Sequence, residues 1–179
     1  VDNEACPNNL APTASTTAQL VIGDALAITL LECRGFTADD FAKFHPGGSL
    51  GKQLYLKVSD IYKNNEKPVV FESTKINDVI IEISSKRLGA AAVLNETGEL
   101  IGIITDGDIR RMLQSKKPID ELSAADIMSK NPKTISQETL AINAFNLMEE
   151  NKITQLIIAE NNKYLGIIHL HDLLREGIA

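Results

Sequence analysis

The chain has 179 residues, 44% of them hydrophobic and 23% charged, a balance that suits one ordinary globular domain or two small ones and excludes a disordered chain. Its formal net charge is -6 and no block of basic residues occurs, which excludes the electrostatic footprint of a nucleic-acid or anionic-membrane binder. Cys6 and Cys33 lie far apart with no CxxC or Cys/His spacing, so the reading is a reducing cytoplasm, with neither a disulfide framework nor a structural zinc site.

Residues 1–14 offer at most a short strand end and a Pro-rich loop. The apolar run from Ala18 to Leu31 predicts a buried helix. Gln19, Asp24 and Thr29 interrupt it, and it falls short of a membrane span of roughly 20 residues. Ser15, Thr16 and Thr17 are N-cap candidates, and Gly35 stops the helix after Arg34. So uniformly apolar a helix needs several elements around it, more than residues 1–14 supply, and the chain therefore reads as cut inside a domain. It starts at Val1 without a charged n-region or apolar h-region, so nothing indicates secretion.

The segment His45-Pro46-Gly47-Gly48-Ser49-Leu50-Gly51-Lys52 holds a histidine beside proline and glycines, on backbone able to approach a ligand closely. An imidazole with an ordinary pKa near 6.5 suits proton transfer. A hinge with an exposed histidine fits the spacing too. The string resembles a phosphate-binding P-loop only superficially, being one spacer residue short, with Gln53 where a magnesium-binding Ser or Thr belongs.

From Val58 onward the sequence repeats itself at an offset of roughly 65 residues, the signature of a duplicated unit. Ser59-Asp60-Ile61 answers Ala125-Asp126-Ile127, and Leu100-Ile101-Gly102-Ile103-Ile104-Thr105 with Asp108 answers Tyr164-Leu165-Gly166-Ile167-Ile168-His169 with Asp172. Each half predicts a short strand, a helix, two strands and a second helix. Ile76, Val79, Ile80 and Ile83 form one amphipathic stripe, and Ala141, Ala144, Phe145 and Met148 the other. Hairpins are predicted from Ala90–Leu94 with Ile101–Thr105 and from Gln155–Ala159 with Leu165–His169. One copy has a marginal core, so the two copies should pack on each other.

This pattern resembles the CBS motif, whose tandem pairs form one module with two clefts. The resemblance marks Thr105 and Asp108, and in the second copy Asp172, as nucleotide-binding candidates; His169 replaces the threonine there. Physically, a helix starting near Asp106 offers free N–H groups to an anion, and Asp108 can accept from ribose hydroxyls. Helix capping by Thr105 and Asp108 is the plain structural alternative. His169 and His171 should point to opposite sides of an extended chain, so no metal pair is expected.

Upstream, Glu4-Ala5-Cys6-Pro7-Asn8-Asn9-Leu10-Ala11-Pro12-Thr13, then Gly23-Asp24-Ala25-Leu26-Ala27, Arg34-Gly35-Phe36-Thr37 and the His45 segment resemble D-arabinose-5-phosphate isomerases. The resemblance implies an α/β fold class: the C-terminal remnant of a Rossmann-like SIS (sugar isomerase) domain in 1–36, a linker in 37–57, and two βαββα CBS repeats in 58–118 and 119–179 packed as one α+β module. It also implies an aldose-ketose isomerase in the branch leading to Kdo and lipopolysaccharide, cytoplasmic and oligomeric (a tetramer), with a nucleotide or CMP-sugar at the CBS pair, a sugar phosphate substrate and no cofactor; the residues offer no metal site, and metal dependence stays open. Glu4 and His45 are the catalytic candidates carried over. Isomerisation through an enediol needs a base that moves a proton between adjacent carbons, and a second acid or base for ring opening. A phosphate loop, its lysine and a further glutamate should lie upstream, so the 179 residues alone are expected to be inactive. The alternatives are a non-enzymatic CBS regulatory module and a SIS-type transcriptional regulator, the latter disfavoured by the acidic charge and the lack of a helix-turn-helix.

Overall fold

The computed structural model describes residues 1–45, 47–114 and 118–178, and the chain divides into two units, Val1–His45 and Pro46–Ala179. In the first unit α1 (Ala14–Cys33) and α2 (Ala38–Phe44) follow an N-terminal turn in which the Asn9 N–H donates to the Cys6 carbonyl. The strand end expected before residue 14 is this turn. No strand occurs among the described residues of the unit, so no Rossmann-like remnant is evident.

Helix α1 departs from expectation in three ways. Its N-cap is Thr13, whose side chain makes no capping bond, instead of Ser15, Thr16 or Thr17. None of its residues is buried, and Leu20, Val21, Ile22, Leu26 and Ile28 stay exposed. It spans 20 residues, so length no longer separates it from a membrane span, although Gln19, Asp24 and Thr29 still interrupt the apolar surface. It ends as read, with Arg34 as C-cap and Gly35 at φ +60, where a side chain would be strained. Helix α2 starts with a capping box in which the Thr37 hydroxyl accepts from the Asp40 N–H and the Asp40 carboxylate accepts from the Thr37 N–H.

The second unit opens with α3 (Ser49–Tyr55) and α4 (Val58–Tyr62). The first repeat then supplies β1 (Val69–Phe71), α5 (Ile76–Lys86), β2 (Ala90–Leu94), β3 (Leu100–Thr105) and α6 (Asp106–Gln114). After a 3-10 turn at Ile119–Glu121 come α7 (Ala124–Ile127) and the short β4 (Ser129–Lys130). The second repeat follows as β5 (Thr134–Ile135), α8 (Ala141–Asn151), β6 (Gln155–Glu160), β7 (Lys163–His169) and α9 (Leu170–Arg175). The sheet orders are β1-β2-β3-β4 and β5-β6-β7; in each repeat the first strand pairs parallel to the next and the last two form an antiparallel hairpin. A helix between two parallel strands is the connection that this pairing requires.

The helical stripes bury as their spacing requires: Ile76, Val79 and Ile83 on α5, and Ala141, Ala144 and Met148 on α8. Ala90 and Ala92 of β2 share a buried cluster with Ile157 of β6 and Ile167 of β7, so the two repeats complete one core. The entry helices are exchanged. Val58, Ile61 and Tyr62 of α4 lie in the core cluster of the second repeat, whereas Ala124 of α7 lies in that of the first. Backbone bonds fix the exchange: the Val58 N–H donates to the Thr139 carbonyl at 2.9 Å, and the Ala124 N–H to the Thr74 carbonyl at 2.8 Å.

Candidate functional site

Each hairpin ends by feeding a short helix, which puts the repeated Thr/His-x-x-Asp residues at equivalent corners. In the first corner Asp108 is 6% exposed and has both oxygens engaged. Its Oδ2 accepts from the Thr105 N–H at 2.8 Å and from the Thr105 hydroxyl at 2.6 Å. Its Oδ1 accepts from Arg111 Nη2 at 2.6 Å and from the Ser129 hydroxyl at 3.1 Å. Burial pushes this carboxyl up, but the bonds from Thr105, Arg111 and Ser129 outweigh it and hold the pKa below its ordinary value. A cavity of about 310 Å³ opens beside Thr105 and Asp108, lined also by Lys130, Lys133 and Gln155. A ligand hydroxyl that seeks Oδ1 has to replace Ser129 or Arg111.

In the second corner His169 is the N-cap of α9, and its Nδ1 accepts from the His171 N–H at 3.1 Å. Asp172 completes a capping box by accepting from the His169 N–H at 2.9 Å, and the same Oδ2 accepts from Asn65 Nδ2 at 2.7 Å. The two imidazoles stack, centroids 4.9 Å apart, which corrects the expectation that they point to opposite sides: the chain turns from strand to helix between them. Burial, reinforced by His171 and opposed by Asp172, lowers the His169 pKa from its ordinary value. No group of three or more metal-ligating side chains gathers here or elsewhere among the described residues. The adjoining cleft is larger, about 800 Å³, and includes Asn65, Lys86, Arg87 and Arg175.

Sequence reading missed Arg111, Ser129 and Asn65. Arg111 is signalled by its i, i+3 spacing from Asp108 on one helix. Ser129 and Asn65 carry no signal, because only tertiary folding brings them to the carboxylates.

Glu4 and His45 both lie in the first unit, and no hydrogen bond or ion pair among the described residues joins them. The Glu4 Oε2 accepts from the Thr13 N–H at 2.7 Å, the Thr13 hydroxyl at 3.1 Å and the Ser15 N–H at 3.2 Å. Hydrogen bonds from Ser15 first, and from Thr13, lower its pKa to about 2. His45 is exposed at the C-cap of α2, its ring stacked on Phe41 with centroids 4.6 Å apart. The adjoining Pro46 lies outside the described residues.

Two strand-helix-hairpin repeats with paired corner clefts define a tandem CBS module, and the sequence matches the CBS domain family over residues 58–115 and 124–178. The chain belongs to that family. Solved structures with this architecture include CBSX2 in complex with AMP (23% identity, TM-score 0.56, covering 68% of this chain and 96% of that one). An uncharacterized conserved protein from Pyrococcus horikoshii is also similar (26% identity, TM-score 0.61, covering 69% and 92%). Over its whole length the chain is similar to arabinose 5-phosphate isomerase KdsD of Salmonella typhi, with 46% identity over 179 residues. The KdsD of Pseudomonas aeruginosa is 47% identical over 180 residues. Each match covers 99% of this chain and 55% of the relative, so the chain spans about half the length of these relatives, in their C-terminal portion.

Proposed function

We propose that these residues are the C-terminal part of an aldose-ketose isomerase that interconverts D-ribulose 5-phosphate and D-arabinose 5-phosphate in the supply of Kdo for lipopolysaccharide, with the CBS pair as its nucleotide or nucleotide-sugar sensor. The supporting observation is the similarity to KdsD across 99% of the chain, which extends through the Glu4 and His45 segments outside the CBS repeats. In this reading residues 1–36 belong to a SIS domain, 37–57 form the linker, and the enzyme is cytoplasmic and oligomeric.

The two candidate residues divide the chemistry. Glu4, with a pKa near 2, stays ionised at neutral pH and is a weak base, so it suits fixed negative charge and hydrogen-bond acceptance better than proton shuttling. His45 suits proton transfer by its residue type, and its exposed position leaves the ring reachable by substrate. At the CBS pair, Asp108 and Asp172 accept from ligand hydroxyls, and the first turn of the nine-residue α6 donates to a phosphate, joined by the Thr105 hydroxyl when it turns away from Asp108.

The test is pentose phosphate interconversion. In the intact protein His45→Ala is expected to lower kcat by about 10²–10⁴-fold, the usual contribution of a general acid or base. The acid limb of the wild-type pH profile should not come from Glu4, which remains ionised down to about 2. The isolated 179 residues should show no activity above their His45→Ala control. Wild-type activity in the intact His45→Ala protein would remove the assignment.

A further inference from the structure

His45 is held at two points by one residue. Its N–H donates to the Phe41 carbonyl at 3.0 Å, and its ring stacks on the Phe41 ring with centroids 4.6 Å apart and planes 12° from parallel. The i, i+4 spacing puts the two side chains on one face of α2, one above the other. Neither nitrogen of the His45 ring has a hydrogen-bond partner among the described residues. Imidazole nitrogens lie in the ring plane, so a contact on the face holds the ring and occupies neither of them, whereas a hydrogen bond would occupy one. The platform is fixed in turn. Helix α2 has only seven residues, too few to persist alone in water. Its first turn is closed by the Thr37/Asp40 capping box, and Asp40 Oδ1 accepts from Lys43 Nζ at 2.9 Å. Phe44 stacks on Phe36 with centroids 6.3 Å apart, which ties the last turn of α2 to the segment before the helix.

Phe41 keeps 44% of its surface exposed, so burial in a core does not account for an aromatic ring at this position. We infer that Phe41 is a positioning residue for His45: its ring holds the imidazole by one face and leaves both nitrogens free for substrate protons. This rests on the reading of His45 as a proton-transfer residue. An exposed histidine without such a platform samples several rotamers, and each turnover has to wait for the productive one. Stacking restricts χ1 and χ2 before substrate arrives. Phe41 acts through the imidazole and not on bound substrate, so loss of the stack should appear in kcat and spare KM.

Kinetics of pentose phosphate interconversion and isotope-labelled histidine NMR, both on the intact protein, test this. Spectra at about pH 8.5, where an ordinary imidazole is neutral, identify the His45 resonance as the one that His45→Ala removes. In the wild type that resonance should lie upfield of its place in the urea-unfolded chain, because protons over an aromatic face are shielded. No upfield displacement overturns the inference without any substitution at Phe41. Phe41→Leu keeps apolar bulk but offers no ring face. It should move the resonance back toward its unfolded place and lower kcat by about 10–10²-fold, the scale of a misplaced catalytic group, with KM within about threefold. Phe41→Tyr, which keeps the face, should restore both the resonance and kcat. A kcat loss below about tenfold in Phe41→Leu, a KM change as large as the kcat change, or a Phe41→Tyr kcat nearer to that of Phe41→Leu than to wild type overturns the inference while His45 keeps its role. Wild-type activity in His45→Ala removes that role, and the positioning with it.

Discussion

Asp108 and His169 occupy equivalent corners but titrate with different consequences. The folded pKa of Asp108 is depressed, so its contribution to stability is present above its unfolded value and is lost as pH falls through the folded one. Asp108→Ala leaves the Thr105 N–H and the Ser129 hydroxyl without their acceptor, and should cost about 1–3 kcal/mol in urea unfolding at neutral pH. The folded pKa of His169 is also depressed, and for a histidine this means that the folded state resists protonation. Stability is therefore full above about 6.5 and declines as pH falls from there toward the folded value, because burial, reinforced by His171, disfavours the charged ring. His169→Thr keeps a hydroxyl acceptor for the cap, as Thr105 does in the first repeat, and should flatten the stability profile as pH falls below about 6.5. An unchanged acid slope in that variant would mean that the drop arises elsewhere.

At the scale of elements, the exchanged helices explain two glycines that hairpin patterning alone does not. A Cβ on Gly166 in β7 would lie 2.7 Å from Cδ2 of Tyr62, and one on Gly102 in β3 would lie 2.7 Å from Sδ of Met128. Glycine lets an element from the other half of the sequence approach the strand. The Tyr62 ring is 5% exposed and its hydroxyl donates to Gln137 Oε1 at 3.0 Å, so it has little room to move. Met128 is half-buried and flexible. Gly166→Ala should therefore cost about 1–3 kcal/mol by overpacking, and Gly102→Ala clearly less, as measured by paired denaturant midpoints. Equal costs would show that the ring yields as readily as the thioether.

Across the molecule, the exchange makes each repeat incomplete alone. A chain of residues 58–118 keeps α4 but loses the second-repeat core that α4 packs into, and it uncovers Ala90 and Ala92. It should lack a cooperative thermal transition, whereas residues 46–179 should unfold as one unit. Much of this unit was legible in the sequence: the doubled pattern, the two helical stripes, the hairpin positions within one or two residues, and the matched Thr105/Asp108 and His169/Asp172 corners. These features are set by local periodicity and turn chemistry, which a linear chain carries in full. The first unit was less legible. The apolarity of α1 called for burial that no described residue provides, and its N-terminus is held by Glu4, nine residues before Thr13 in the sequence. The sequence by itself determined the period, the strand-helix-hairpin-helix order within each repeat and the residue types at the corners. Only the tertiary structure decided that α4 and α7 change places, that Ser129 closes on Asp108, that Asn65 reaches Asp172, and that Lys52 clasps the turn after α9. Those contacts join residues up to 124 positions apart, and no local pattern encodes which distant groups close packing will bring together.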